Sequence, residues 1–396
     1  ALESAGATGR RQLARTLLVQ IPPLDRPTLR REFDQLRSND LAHRSWRVDG
    51  TGGSTGQPVR FIVDREHGLW RFAAEHLFDG WAGVVPGMRR MRLWGSARQL
   101  GGERETIGRR LYRWRRNERS LDSFRMTSSQ MRRHAARLNQ WRPGHLIGYA
   151  DSLHAFARFL ERSGLAVVAP ASIMSSSGTL FPEHRRIIER VFGAPVFDRY
   201  AAREVGAIAA EDAAHEGLVV PPLHLVEIIR PDGSPAPPGE EGEILVTCLT
   251  NHAMPLLRYR IGDTGAMAPR PSTRTGWPVL QHVTGRVAET FVRADGGLVS
   301  SLSFIHLAGV VLQSDWIRRW QVVQEEPKRI TVRLVLEPPL TRDAPEFVLR
   351  TGELAAAIRR TMGEECTVEF RVEREIPPLP NGKYCYCASR VTSPAG

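Results

Sequence analysis

Residues 50–58 read Gly-Thr-Gly-Gly-Ser-Thr-Gly-Gln-Pro, a run whose composition suits the holding of an anion. Glycines let successive backbone N–H groups turn into one concavity, and the hydroxyls of Ser54 and Thr55 add donors to it. No lysine follows the last glycine, which excludes the GxxxxGK[ST] loop of the common nucleoside triphosphatases. The same letters contain G-x-S-x-G from Gly52 to Gly56, the pattern of a hydrolase nucleophile elbow. An elbow needs a strand before its serine and a helix after it. Here a polar loop comes first and the strand-like VRFIV of residues 59–63 follows. Phosphate binding is the leading reading, with a hydrolase serine and a plain glycine-rich turn as its alternatives.

Two lysines, Lys328 and Lys383, stand among 55 basic residues. A chain that uses arginine wherever either cation would serve keeps lysine where a compact, mobile ammonium is needed. Lys328, within EEPKR, reads as a turn residue, so Lys383 draws the attention. The net charge of +12 and the run Arg109 to Arg116, interleaved with Leu111, Tyr112 and Trp114, invite a nucleic-acid reading. Arginine-rich solvated faces explain the same excess, and that explanation is preferred over an anionic partner or nucleic acid. Four cysteines, Cys248, Cys366, Cys385 and Cys387, form no CxxC pair and no zinc spacing, so reduced thiols and a cytoplasmic location are expected. No apolar run approaches the ~20 residues that span a bilayer.

The elements that must position these residues follow from periodicity. Leu69, Phe72, Ala73, His76 and Leu77 recur at helical spacing, which predicts a helix over 66–79 with His76 at the edge of the core. A helix over 128–141 is expected with Ser128 as its cap. Then the chain alternates: a strand at 145–149, a helix capped by Asp151 and stopped by Gly164, a strand at 172–175, a helix opened by Pro182 and ended by Gly193, and a strand at 195–199. Such repeats predict an α/β fold with a mostly parallel sheet flanked by helices and ligands at the carboxyl ends of its strands. Residues 175–178 and 200–204 fall on those ends. Beyond Pro222 antiparallel strands are expected at 223–229 and 243–249, and after Arg286 a small α+β unit with a hairpin around 295–297 and helices near 303–311 and 346–361.

The order of GGSTGQP, FDRYAAREVGAIAAED, MPLLRYRIGDTG, TGR and PNGK resembles the succession of motifs in the acyl-adenylate-forming (ANL) superfamily, in its phenylacetate–CoA ligase and CapK-like branch. The resemblance runs over nearly the whole chain. It implies an N-terminal adenylation domain over 1–285, binding ATP and the acid, and a small mobile C-terminal domain over 286–396 that carries the catalytic lysine. Thr51, Gly53, Ser54, Thr55 and Gly56 match the triphosphate loop. Tyr200 matches the aromatic residue packed on adenine, Glu204 the carboxylate associated with Mg²⁺, and Asp263 the acid on the ribose hydroxyls. Ser177, Gly178 and Arg203 stand in segments that line the nucleotide, Arg286 matches the arginine where the large domain meets the small one, and Lys383 matches the mobile lysine.

With these roles the implied reaction is ATP-dependent activation of an aromatic or hydrophobic carboxylic acid as acyl-AMP, followed by transfer to a thiol. CoA is the modal acceptor, with a carrier protein or an amine as rivals. Nucleotidyl transfer to a coenzyme hydroxyl and a degenerate nucleotide-binding protein are the alternatives from other classes. Two departures from the family pattern bear on activity. Ala201 stands where relatives have glycine, and its Cβ is expected to restrict the backbone or narrow the acyl pocket. Gly178 stands where relatives have glutamate. Some relatives hold a structural zinc, but Asp212, His215 and Pro271-Ser272-Thr273-Arg274 at the corresponding places predict none.

Overall fold

The computed structural model describes residues 18–50, 59–94, 107–123, 126–286, 290–295, 298–300, 304, 317–337, 341–377 and 385–391. The chain divides into two compact units, Ala1–Val283 and Thr284–Gly396. The glycine loop 51–58, the helix expected near 303–311 apart from Phe304, and Lys383 lie outside the described residues.

The first unit is built on an 11-stranded sheet in the order β10-β11-β12-β13-β9-β8-β7-β6-β5-β3-β4. Its parallel half contains β3 (Arg90–Leu93), β4 (Glu118–Leu121), β5 (His145–Tyr149), β6 (Ser172–Ser176) and β7 (Val196–Ala202). In the antiparallel half, β8 (Gly206–Glu211), β9 (Leu218–Val219), β10 (His224–Ile229), β11 (Gly242–Cys248), β12 (Tyr259–Met267) and β13 (Val279–Arg286) follow. A two-stranded ribbon, β1 (Trp46–Gly50) with β2 (Arg60–Asp64), brackets the glycine loop.

Strand alternation sends one set of side chains to each face. Met91, Leu93, Leu146, Ile173 and Val196 pack beneath α4 (Ser128–Trp141), α5 (Ala150–Ser163) and α6 (Pro182–Phe192). Ile147, Met174, Phe197 and Ala210 meet α2 (Arg65–Trp81) on the other face. Pro182 opens α6, and Gly164 (φ 60°) and Gly193 (φ 65°) end α5 and α6 in the left-handed conformation that glycine adopts without strain.

Three local expectations differ. Thr127, not Ser128, caps α4 by accepting from the Gln130 N–H. The helix after β5 begins at Ala150 with Tyr149 as its uncapped N-cap, so Asp151 sits in the first turn, where its charge complements the helix dipole. On α2 the buried stripe is His67, Ala74 and Phe78, while Leu69, Phe72, Ala73 and His76 are exposed. The 3.6-residue period was right and the phase was wrong. His76 accordingly satisfies its ring nitrogen on the Phe72 carbonyl at 2.8 Å, outside the core.

The second unit holds the antiparallel pair β14 (Thr290–Val292) and β15 (Leu298–Ser300), and a sheet β18-β17-β16-β19. Its strands are β16 (Ile317–Glu326), β17 (Arg329–Leu336), β18 (Thr367–Val372) and β19 (Cys387–Ser389). Helix α7 (Pro345–Met362) buries Leu354, Ala357 and Ile358. Buried Gln324 takes the Val292 N–H at 2.9 Å, gives its amide to the Val292 carbonyl at 2.6 Å and accepts from Ser389 Oγ at 2.9 Å, so one side chain joins β14, β16 and β19. Lys328 lies in the β16–β17 turn, exposed and paired with Glu365 at 2.8 Å.

Candidate adenylation site

Strand β7 carries Tyr200 toward the antiparallel half of the sheet, where β12 presents Asp263. Tyr200 Oη donates to Asp263 Oδ2 at 2.7 Å. Burial, and then the Asp263 charge, hold the phenol well above its ordinary pKa, so it stays a donor. An aromatic face and a carboxylate are thus fixed side by side from residues far apart in sequence.

Glu204 follows in the turn after β7 and is buried at 2% exposure. Its Oε1 accepts from Tyr259 Oη at 3.0 Å and lies 3.4 Å from Arg26 Nη2. Arg26 begins the helix α1 (Arg26–Arg31), whose N-cap Asp25 accepts from Thr28 N–H at 2.8 Å. A bridge between Leu24 and Tyr259 pins this helix to the start of β12, and Arg26 also donates to the Ile261 carbonyl at 3.0 Å. Two donors therefore hold one carboxylate oxygen. Glu204 Oε2 has no hydrogen-bond donor among the described residues. That fits a Mg²⁺ ion, which takes one or two carboxylates and completes its shell with phosphate and water oxygens.

Arg203 is exposed, with Nη2 3.7 Å from Asp49 Oδ1, on the strand that leads into the glycine loop. At the end of β6, Ser177 adopts φ 58°, an uncommon conformation for a non-glycine residue. Gly178 keeps room for a side chain, since an added Cβ would lie 3.5 Å from the nearest atom, the Ala150 Cβ, so the fold does not require glycine there. The β7–β8 pairing shifts register between Tyr200 and Ala201, and Ala201 keeps a negative φ, so its Cβ brings no backbone strain. Arg286 ends β13. The motif residues Thr51, Gly53, Ser54, Thr55, Gly56 and Lys383 fall outside the described residues.

Sequence reasoning missed Arg26 and Tyr259. Tyr259 stands inside the RYRIGD run, four residues before Asp263, and its hydroxyl was the available signal. Arg26 had none, because its contact with Glu204 spans 178 positions. Asp212, set against a zinc ligand position, instead accepts from the Ala214 N–H at 2.9 Å and from Ser272 Oγ at 3.4 Å.

Two residues before Tyr200, Asp198 donates its backbone N–H to Glu211 Oε2 at 2.9 Å, and Arg185 Nη2 contacts the same carboxylate at 2.7 and 2.8 Å. Burial, then the Glu211 charge, push Asp198 up to about 7. The native state thus keeps a proton that the unfolded chain releases near 3.8, so stability contributed by protonated Asp198 is full below about pH 4 and lost as pH rises through 7. Asp198→Asn is expected to flatten that loss and to raise Tm at pH 8 by roughly 2–4 °C, with little change at pH 4. Thermal unfolding across pH 4–9 checks it; an Asn variant less stable than wild type at pH 8 would contradict the assignment.

The fold is similar to that of solved acyl-CoA ligases. It aligns with 2-hydroxyisobutyryl-CoA ligase, solved with R3-HIB-AMP, at a TM-score of 0.67 and 15% identity, over 89% of this chain and 76% of that one. By sequence the chain is similar to CapK and, over a shorter stretch, to phenylacetate–CoA ligase. It is 23% identical to Protein CapK of Staphylococcus aureus over 378 residues, 94% of this chain and 80% of CapK. It is 38% identical to phenylacetate-coenzyme A ligase of Escherichia coli (strain K12) over 107 residues, 26% of this chain and 24% of the ligase. Residues 291–390 match the CapK C-terminal domain. No helix among the described residues is long and apolar enough to cross a membrane.

Proposed function

We propose that this protein is an adenylate-forming ligase that activates a carboxylic acid with ATP and passes the acyl group to CoA. The observation that carries the reading is the convergence of Tyr200, Asp263 and Glu204 on one end of the sheet, with Asp49 of β1 3.7 Å from Arg203. Tyr200 packs on adenine, and Asp263 accepts from the ribose hydroxyls. Glu204 Oε2 contributes to Mg²⁺, which when bound offsets charge on the phosphates. Residues 51–56 hold the β- and γ-phosphates, with Arg203 nearby, while Ser177 and Gly178 border the nucleotide. The acid's carboxylate oxygen attacks the α-phosphorus, the bond to the bridging oxygen breaks, and pyrophosphate leaves. Lys383 delivers its ammonium to the charge that builds at the α-phosphate. The C-terminal unit from Arg286 onward then moves, and the CoA thiolate attacks the acyl carbon with AMP as leaving group. The rings of Trp94 and Tyr149, 4.1 Å apart at the ends of β3 and β5, form an aromatic platform for the acid.

Acid-dependent ATP–pyrophosphate exchange across aryl, fatty and amino acids tests this, followed by acyl-CoA formation with the best acid. Lys383→Ala is expected to lower exchange by about 10²-fold or more. Stable AMP labelling of an acceptor without release of AMP would replace the reading with nucleotidyl transfer, and nucleotide binding without exchange on any acid would reduce the protein to a nucleotide binder.

A further inference from the structure

The ligase reading leaves unexplained a set of arginines on the α2 face of the sheet. In a doubly wound sheet the ligand crevice opens where successive strands depart in opposite directions. That point lies between β3 and β5, because β4 lies outside β3 while β6 and β7 continue beyond β5. Trp94 and Tyr149 stand at the two strand ends, and the Arg92 guanidinium lies 4.8 Å from the Trp94 ring centroid. Ser176 and Arg199 are register partners at the next two ends. Alternation along β7 sends Tyr200 to one face and Arg199 to the other, where Met174 and Phe197 also point. Arg199 thus shares the α2 side of the sheet with the aromatic platform, across β6 from Tyr149.

The carboxylates on this face are already taken. Asp79 is held by Arg90 at 2.6 and 3.0 Å and by Arg116 at 3.3 Å, Glu118 by Arg92 at 3.6 Å, and Glu75 by Arg116 at 3.5 Å. Among the described residues no carboxylate lies within ion-pair distance of Arg199. Among the described residues its side-chain hydrogen bonds run from Nε and Nη2 to Ser176 Oγ, both long at 3.4 Å, and leave most of the guanidinium's five donors unspent there. A partly buried guanidinium with no carboxylate in contact is costly. Burial draws Arg199 below the ordinary arginine value, with Arg92 and Arg90 adding repulsion against the more distant attraction of Glu75 and Asp79.

We infer that the acid substrate carries a second acidic group, a carboxylate or a phosphate, and that Arg199, flanked by Ser176 Oγ, receives that group. The inference rests on the ligase reading and narrows its substrate class. An aromatic acid with a second anionic substituent satisfies both the Trp94–Tyr149 platform and the cation beside it. Planar, forked donors suit either oxyanion.

The test is pyrophosphate exchange on the intact protein with matched acids: benzoate against isophthalate and terephthalate, phenylacetate against 4-carboxyphenylacetate, butyrate against glutarate and 4-phosphonobutyrate. At least one diacid is expected to exceed its monoacid in kcat/KM by about 10- to 100-fold, the range for hydrogen bonds to a charged group. In Arg199→Gln that ratio is expected to collapse toward one through a rise in the diacid KM, while Arg199→Lys keeps part of it. Wild type that exchanges monoacids as well as or better than every diacid would overturn the inference and leave the ligase reading standing. An Arg199→Gln effect on the KM for ATP or pyrophosphate, with the acid ratio intact, would assign the site to nucleotide phosphate and overturn it too. Exchange with no acid at all would sink the ligase reading itself and this inference with it. The wild-type comparison decides even where the Gln variant fails to fold.

Discussion

Glu204→Gln is expected to lower acid-dependent pyrophosphate exchange by about 10²-fold and to raise the Mg²⁺ concentration that gives half-maximal rate. The substitution is close to isosteric. The amide oxygen still accepts from Tyr259 Oη, now 3.0 Å from Glu204 Oε1, so the packing of a residue with 2% exposure is retained. What disappears is charge. Arg26 Nη2, 3.4 Å from Oε1, loses its counter-ion, and Oε2 is no longer an anionic ligand. Because Arg26 also donates to the Ile261 carbonyl, the helix that carries it stays anchored, and the loss should appear in rate and metal dependence more than in folding. Tyr259→Phe separates the roles. It removes one donor to the carboxylate and leaves the charge, so a smaller rate loss, about 10-fold, is expected with an unchanged Mg²⁺ midpoint. A Mg²⁺ titration of exchange in both variants, with circular dichroism to verify folding, measures the contrast. Wild-type rate and midpoint in Glu204→Gln would remove Glu204 from the metal site.

The contrast between Glu204 and its partners also marks where sequence reading reached and where it stopped. The α/β core was legible because its punctuation is local: Gly164 and Gly193 at φ 60° and 65°, and Pro182 in the first turn of α6, each act within a few residues. Cap identity was less legible, since Ser128 and Thr127 are chemically equivalent donors and acceptors one position apart, and only backbone φ/ψ separates them. The phase of α2 failed for a different reason. Both of its stripes carry apolar residues, and the one with more of them, Leu69, Trp70 and Phe72, faces outward, because Ala74 and Phe78 of the other meet β8. Periodicity reports that a face exists; the sheet decides which face it is. Long-range polar contacts lie beyond pattern altogether. Arg26, Glu204 and Tyr259 come from three separate segments, and nothing within any one of them specifies the others.

Charge was the subtlest case. An arginine excess read as solvated faces is partly that, as the exposed Arg203 and Arg190 show, yet Arg90 is 8% exposed and Arg199 has no carboxylate partner among the described residues. Composition reports net charge and not its depth. The same count of arginines therefore serves two purposes, solubility outside and a cationic wall beside the aromatic platform inside.

That wall depends on Asp79, and Asp79→Ala is expected to be the most destabilising single change considered, by about 3–5 kcal/mol. Asp79 is buried at 3% near the end of α2 and meets β3 through a forked pair with Arg90, Nη1 at 2.6 Å and Nη2 at 3.0 Å. Arg116, just past the helix over residues 107–115, adds a third contact at 3.3 Å. Among the described residues, truncation leaves buried Arg90 with Glu118 at 4.0 Å to balance it, and takes one carboxylate partner from Arg116, which keeps Glu75 at 3.5 Å. The cost is the desolvated charge left behind, not the intrinsic strength of the pair, and a double variant distinguishes the two. Asp79→Leu with Arg90→Met removes both charges and keeps volume, so it should recover more than half of the loss. Urea unfolding of the single and double variants measures both, with the thermal midpoint of Asp79→Ala expected to fall by roughly 10 °C. A single-variant loss under about 1 kcal/mol would mean that water reaches the pair and that the α2 face of the sheet is wet. Arg199 would then be an ordinary solvated arginine, with no need of a second acidic group on the substrate.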